Sequence, residues 1–263
     1  MRPLPAALLL ASIAAMPAVP MAAERDRPPA SGDWSLRVGV LAAVAPDYEG
    51  SDRYEAVPLP DIEITYGDRL FLDRRGLGAT LVATDSVRAG VALGYGKGRR
   101  EKENSDLRGL GSVGDTATGT VFGAYRAGPL TVSLDVTGDV LGEGSEGMTA
   151  TLGASYAAEL SDRLLLVAGP SLTWADGNHM HAFFGVSPEQ ARRSRLPAYR
   201  AGAGLQKAGA GVQGIYRLSD QWSATALAGY ARLLGDAADS PLVRRDGDRD
   251  QLVGGLGLSY RFR

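Results

Sequence analysis

The sequence predicts an all-β protein, an antiparallel transmembrane β-barrel of about 12 strands with short periplasmic turns and longer outer loops that partly plug the lumen. Three observations predict it. Apolar residues recur at every second position along most of the chain, the alternating runs last about ten residues, and the connections are alternately tight and long. A period of two indicates strands with one apolar face, and about ten residues is the length that a tilted strand needs to cross a bilayer.

Composition excludes several classes of protein. The 263 residues include 35 glycines, about twice the usual usage of roughly 7%, which favours sheet and turns. The formal net charge of −2 gives no basic surface of the kind that nucleic acid requires. The chain has no cysteine, so a disulfide framework, a thiolate nucleophile and a thiolate metal site are all excluded. Burial and hydrogen bonding must stabilise the fold.

The amino terminus predicts export. Residues 1–5 carry Arg2, an apolar stretch follows from Ala6 to Ala15, and Met21-Ala22-Ala23 precedes a charged segment. This order is typical of a cleaved secretory signal peptide over residues 1–23. Residues 24–33 then form a short periplasmic tail, and residues 34–263 form the outer-membrane barrel. After residue 23 no stretch is apolar enough for a spanning helix, which needs about 20 residues.

The predicted strands follow the chain from Trp34 to its end. The first has apolar residues at even positions from Trp34 to Val44, and the last has them at even positions from Leu256 to Phe262. Comparable runs occupy residues 87–95, 130–137, 148–156 and 222–230. Helical periodicity is almost absent, so each run is assigned to a strand with one lipid-facing side.

The connections set the strand count. Tight turns of the Gly/Asp/Ser/Pro type lie at 66–68, 84–86, 127–129, 161–162 and 219–220, and longer polar segments lie at 45–54, 97–113, 141–147, 176 to about 209, and 235–249. This asymmetry is typical of outer-membrane barrels. With both chain ends in the periplasm the count is twelve, which demands one tight outer turn at Arg74-Arg75-Gly76. A ten-stranded alternative that merges residues 69–84 breaks the alternation.

Aromatic residues occupy the expected ends of the strands, where membrane barrels carry aromatic girdles. They are Trp34, Tyr66, Tyr95, Tyr125, Trp174, Trp222, Tyr230, Tyr260 and Phe262. Each alone fits an ordinary core, whereas together they favour a lipid interface. Barrels of this kind usually end on an aromatic residue, so Arg263 after Phe262 departs from the common pattern.

Charged residues that alternate with apolar ones should point into the lumen, where they must pair or meet water. They are Arg37, Asp61, Glu63, Arg88, Asp135, Arg217, Arg261 and Arg263. Candidate lumen or plug residues are therefore Arg37, Glu63, Asp135, Arg108, Arg217 and Arg261. A twelve-stranded barrel has room for a narrow channel, but residues 107–111 and 176–209 are long enough to fill it. Residues 187–193 predict a Ser-capped helical turn within that plug.

Three further patterns contain residue types that occur in chemical sites. The mixed-charge loop 99–106 fits a solvated loop better than a site that binds lipopolysaccharide phosphates or a protein partner. Asp236 and Asp239 supply too few ligands for a calcium site and fit turn capping better. His179 and His181 would share one face of a strand, but no nucleophile elbow or committed acid accompanies them. We therefore expect no enzyme activity, no cofactor and no metal.

Five motifs in order give the chain a resemblance to a known family. They are APDYEGSD at 45–52, GYGKGR at 94–99, DLRGLG at 106–111, FFGVSP at 183–188 and LLGDAADSP at 233–241. Together they closely resemble the MltA-interacting protein (MipA/OmpV) family, over nearly the whole mature chain. The resemblance implies an outer-membrane barrel with a scaffolding role in the cell envelope, linking a lytic transglycosylase to a peptidoglycan synthase, and defines no catalytic residues.

The resemblance leaves the function open between three classes. The first is the envelope scaffold, whose partners would be outer-membrane lipid including lipopolysaccharide, the lytic transglycosylase and the synthase. Short periplasmic turns offer such partners little surface beyond residues 24–33 and the barrel wall. The second class is a small-solute pore with an open lumen. The third is a surface-exposed adhesin or receptor that binds through residues 97–113 and 176–209.

Overall fold

A computed structural model describes residues 34–262. The predicted signal peptide, the predicted tail 24–33 and Arg263 lie outside these residues. The described chain forms twelve strands. They are β1 (Trp34–Pro46), β2 (Tyr54–Tyr66), β3 (Leu70–Asp73), β4 (Gly76–Ala83), β5 (Val87–Gly96), β6 (Thr116–Ala127), β7 (Leu130–Asp139), β8 (Met148–Ser161), β9 (Leu164–Ala175), β10 (Gly204–Arg217), β11 (Trp222–Leu233) and β12 (Asp250–Phe262).

The strands form one closed antiparallel barrel in which every strand pairs with its neighbours in sequence and β1 closes onto β12. This confirms the predicted fold class and strand number. Closure removes both sheet edges, which a lipid environment requires. No helix within residues 34–262 is long and apolar enough to cross a membrane.

The outer face of the barrel is apolar. Val121, Leu93 and Leu256 are 62%, 63% and 69% exposed, and they lie at outward-facing positions of three different strands. An aromatic pair marks the end of the barrel where β1 begins: the ring centroids of Trp34 and Tyr66 lie 4.8 Å apart. A band of this kind is what lipid contact favours.

The two ends of the barrel differ as predicted. Tight connections of two to four residues join the strands at the end where Trp34 and Phe262 lie, at 67–69, 84–86, 128–129, 162–163 and 218–221. Five long connections lie at the other end, which in outer-membrane barrels is the outer one. They span 47–53, 97–115, 140–147, 176–203 and 234–249.

The tight outer turn at Arg74-Arg75 is also present, and the hairpin that it closes is short. β3 has only four residues, and β2 pairs with it only through Ile64, Thr65 and Tyr66. β3 and β4 remain separate strands, so the ten-stranded alternative is wrong. The barrel wall is consequently low at this one position.

The long outer connections contain four short helices, α1 (Gly177–Phe184), α2 (Pro188–Arg193), α3 (Gly235–Asp239) and α4 (Pro241–Asp246). Together the five connections pack over the outer mouth, and we name them the cap. The predicted strand geometry for His179 and His181 is wrong, because both lie in α1. Residues two apart on a helix face different directions, so the two imidazoles do not converge. β10 begins at Gly204, a few residues earlier than expected.

α2 begins as the sequence predicts. The Ser187 hydroxyl accepts a hydrogen bond from the Gln190 backbone amide at 3.2 Å, and the Gln190 side-chain oxygen accepts one from the Ser187 backbone amide at 2.7 Å. Pro188 occupies the first helical position. We expect Ser187→Ala to lower the free energy of opening α2 by about 1 kcal/mol. Hydrogen exchange of the α2 amides measures this, with α4, which has its own serine cap, as internal control. Unchanged α2 exchange would contradict it.

Candidate functional site

The barrel contains a cavity of about 1850 Å³ that extends from the cap to the tight turns at the opposite end, where Asp68 and Asp162 line it. Five of the six candidate residues line it: Arg37, Glu63, Asp135, Arg217 and Arg261. The strand register explains this, because Arg37 lies opposite Glu63 on one side and Arg261 on the other, all on the inward face. Arg108 does not line the cavity. Its exposed side chain lies on the cap, since Leu107 and Leu110 take the inward positions of that segment.

Charges in the cavity are paired across strands and across the lumen. Arg37 bonds to Glu63 and lies 3.3 Å from the Asp61 carboxylate. Arg75 extends from the β3–β4 turn, and its Nε donates to the Asp135 carboxylate of β7 at 2.7 Å. Paired charges satisfy the requirement for an ion in the membrane interior. These contacts make the cavity polar, and at these positions positive and negative charges largely balance.

Two phenylalanines face inward beside these ions. Phe71 and Phe122 are 3% and 7% exposed, with ring centroids 5.6 Å apart in an edge-to-face arrangement. Gly78 makes room for them, because a Cβ there would lie 2.2 Å from the Phe71 ring. The Arg75 guanidinium lies 5.0 Å from the centre of the Phe122 ring, within cation–π range. This side of the lumen is therefore filled by packed rings and charges.

A polar cluster forms the roof of the cavity beneath the cap. Lys207 Nζ lies 2.7 Å from one oxygen of the Glu49 carboxylate, and Gln206 Nε2 donates to the other at 2.9 Å. The same Gln206 amide lies 3.4 Å from His179 Nε2, and the Ser145 hydroxyl lies 3.5 Å from His179 Nδ1. Among residues 34–262 the Gln206 amide thus lies between the His179 imidazole and the Glu49 carboxylate.

Burial beneath the cap lowers the pKa of His179, an effect that Glu49 opposes and Lys207 reinforces. The folded cap therefore keeps His179 neutral where the unfolded chain, with a pKa near 6.5, takes up a proton. The expected result is a cap that loses stability as the pH falls below about 6.5, by at most about 1.4 kcal/mol per pH unit. Amide exchange in α1 at pH 7 and pH 5, corrected for intrinsic rates, measures it. His179→Gln should flatten the dependence, whereas exposed His181→Gln should not.

The cap has an apolar core of its own. Met180 and Phe184 of α1 are fully buried and pack with Ala237 and Val243 of the 234–249 connection. A second cluster joins the 47–53, 97–115, 176–203 and 234–249 connections through six buried residues, Tyr48, Leu107, Leu110, Val186, Leu196 and Leu242. The remaining connection is attached by a hydrogen bond of 3.0 Å from the Asn178 amide to the Glu146 carbonyl. All five outer connections thus belong to one packed layer.

Arg99 is buried inside this layer and connects two of its segments, 97–115 and 176–203. It is 5% exposed, and its Nη1 donates to the Phe183 carbonyl at 2.5 Å. Loss of hydration lowers the pKa of the guanidinium to about 10, so it stays charged at neutral pH. The mixed-charge loop 99–106 is therefore only partly solvated, because Arg99 and Asn104 are buried in the cap.

The Asp236-Asp239 pair has a structural role. The Asp236 carboxylate accepts a hydrogen bond from the Gly202 amide at 2.7 Å, and Ser240 caps α4. No group of three or more potential metal ligands occurs among residues 34–262.

Sequence reasoning missed Arg75, Phe71 and Phe122. The alternation of inward and outward positions along β6 predicts that Phe122 faces inward, because every second residue before it, Thr116, Thr118 and Thr120, does so. Nothing local signals the Arg75–Asp135 contact, which joins residues 60 positions apart.

A closed antiparallel barrel with an apolar outer band, paired ions inside and a packed cap defines an integral outer-membrane β-barrel protein. The chain belongs to the family described as MltA-interacting protein MipA, which matches residues 38–262. A curated relative, "Putative outer membrane protein YiaT" of Escherichia coli K12, is 23% identical over 238 residues, which cover 88% of this chain and 92% of the relative.

Solved structures with a similar course of the chain are also outer-membrane barrels. An outer membrane channel from Pseudomonas putida F1 has a TM-score of 0.46 and 12% identity, covering 91% of this chain and 98% of the channel. The KdgM porin has a TM-score of 0.40 and 10% identity, covering 87% and 99%. Likeness at this level carries no argument about function.

Proposed function

We propose that this protein serves the cell envelope as a capped, non-conducting outer-membrane barrel that holds a partner at its periplasmic end, namely a lytic transglycosylase of the MltA type. It has no catalytic role of its own. The observation that carries the proposal is the cap, because a layer with two buried apolar clusters across the outer mouth suits a fixed lid better than a path for solutes.

The family supports the choice of partner, since its description names an interaction with MltA. A membrane barrel is a suitable anchor for such a partner, because closure of the sheet makes it rigid. A peptidoglycan synthase would be a second partner, and lipopolysaccharide would surround the outer half of the wall. A link between hydrolase and synthase requires two separate contacts at the periplasmic end.

The surface available to these partners is small. The periplasmic turns have two to four residues, so contact must come from their charged rim together with residues 24–33. Rim charges include the exposed Asp68 and Arg69 of the β2–β3 turn and the exposed Asp162 and Arg163 of the β8–β9 turn. Rim charges steer association and set its salt dependence more than they add affinity.

The test is binding of a soluble MltA-type transglycosylase to the barrel in lipid nanodiscs. We expect deletion of residues 24–33 to weaken binding by about tenfold, corresponding to about 1.4 kcal/mol, and Arg69→Glu with Arg163→Glu to change mainly its salt dependence. Arg108→Glu on the cap is the matched control and should have no effect. No binding by the intact barrel, or binding that only cap substitutions abolish, would contradict the proposal, and the second result would favour a surface receptor.

A further inference from the structure

The barrel wall has an opening on one side. β2 pairs with β1 along its whole length but with β3 only through residues 64–66. On the far side, β5 pairs with β4 no further than Leu93, and Gly94 to Gly96 pair only with β6. Two strands are therefore missing between residues 54–63 and 94–96, about 10 Å of sheet at the usual spacing of about 4.8 Å. We name this opening the wall window.

The window has a closed frame. The Arg74-Arg75 turn forms its lower border and contacts the far side, since a Cβ on Gly94 would lie 2.2 Å from the Arg75 carbonyl oxygen. The upper border is the cap, where Asn104 Nδ2 donates to the Asp47 carboxylate at 2.7 Å and Arg53 lies 3.1 Å from the Asp106 carboxylate. Both sides of the window line the cavity, including Asp61 of β2 and Gly96 of β5.

An added strand does not fit this edge. Pro58 and Pro60 lie in the part of β2 that pairs with β1 but has no strand on its other side. Proline has no amide hydrogen to donate to a neighbouring strand. A peptide that extended the sheet here would find an incomplete ladder. A ligand that needs no backbone pairing suits the window better.

One cation at the window has no bonded partner among the described residues. Arg74 stands at the lower border, its exposed side chain lines the cavity, and within residues 34–262 it makes no hydrogen bond or ion pair. Its neighbour Arg75 is already engaged by Asp135 and Asp73. The nearest carboxylates, Asp61 and Asp73, attract Arg74 without a direct contact, so its guanidinium can make a charge-assisted contact with one further anionic group.

The inner wall above Arg74 is apolar. Leu41, Ala43, Val57 and Leu59 of β1 and β2 form one cluster on the lumen face. On the lipid-facing side of β2, the side chains of Pro58 and Pro60 are exposed. A hydrocarbon chain can therefore follow an apolar surface from the bilayer to the window.

We propose that the wall window is a lateral binding site for a single-chain anionic amphiphile that enters from the membrane, with the anionic head on Arg74 and the chain along Val57, Pro58 and Pro60. The site is independent of the periplasmic partner proposed above. It gives the capped cavity a route to the membrane rather than to the outer medium.

The test uses the absence of cysteine in the native chain. A bimane label is attached in liposomes at Thr118→Cys, a cavity-lining position on β6 paired with Gly94, or at Thr225→Cys, a cavity-lining position on β11. The probe is 5-doxylstearate, an anionic single-chain quencher. The cationic single-chain nitroxide hexadecyl-dimethylammonio-TEMPO and a 5-doxyl two-chain phosphatidylglycerol are compared at equal mole fractions.

We expect 5-doxylstearate to quench the Thr118 label strongly and the Thr225 label weakly, and the other two probes to quench neither strongly. Arg74→Gln should weaken the apparent affinity for 5-doxylstearate by about tenfold, Arg74→Lys should retain it, and Arg108→Gln should leave it unchanged. Heat-dependent gel mobility verifies that each variant is folded. Equal quenching by the cationic probe, equal quenching at both labels, or an Arg74→Gln barrel that binds like the native one would overturn the proposal.

Discussion

The Phe184→Ala barrel will conduct ions in planar bilayers where the native barrel does not. Phe184 is fully buried in the cap core, between α1 and the 234–249 connection. Truncation of a buried phenylalanine costs about 3–5 kcal/mol, which is comparable with the total stability of a small packed unit. The cap should then open while the strand pairs of the barrel wall remain intact.

The effect of Phe184→Ala should be confined to the cap. The Ser240 hydroxyl donates to the Phe184 carbonyl at 2.7 Å, so the loss reaches α4 directly. By contrast, Leu256 is 69% exposed on the lipid face. Leu256→Ala is therefore the control, and this variant should show no conductance. Amide exchange should show faster opening of α1 and α4 in Phe184→Ala. Fast exchange of the cap without any conductance would mean that another part of the molecule blocks the lumen.

Arg75→Gln will destabilise the barrel itself. The substitution leaves Asp135 and Asp73 without their cation and removes the charge over the Phe122 ring. Removing one partner of a largely buried pair leaves an uncompensated charge. Since the side chains of Arg75 and Asp135 are still 27% and 21% exposed, we expect a loss of about 2–3 kcal/mol rather than the full penalty.

Urea unfolding of the barrel in lipid measures this loss. The Arg75→Gln, Asp135→Asn double variant should recover part of it, because the carboxylate is then neutral as well. The matched control is Arg69→Gln at the rim, where the side chain is 76% exposed and lies 4.0 Å from Asp68; no measurable change is expected there. A full-sized loss for Arg69→Gln, or none for Arg75→Gln, would contradict the assigned role of the lumen pairs.

The wall could be predicted from the sequence because a strand has only two faces. Once Trp34 and Leu36 are assigned to lipid, Arg37 must face the lumen, and the same parity places Glu63 and Asp135 there. The structure has these side chains in the cavity. The strand count followed because each tight turn carries its own local chemistry.

The cap and the lumen contacts could not be predicted in the same way. The cap helices have five to eight residues, too few for a reliable helical period, so the sequence around His179 predicts a strand. The position of Arg75 depends on the short β3–β4 hairpin, which brings it across the lumen to Asp135. Such contacts depend on three-dimensional closure and not on local pattern.

Single-channel conductance of the intact native barrel in planar bilayers is the measurement that tests the central claim most directly. The claim is that the cap makes this protein an interaction element of the envelope and not a pore. It predicts no steady conductance from the native protein and regular openings after Phe184→Ala. Steady conductance of the native barrel, unchanged by Phe184→Ala, would contradict it and assign the protein to the small-solute channels.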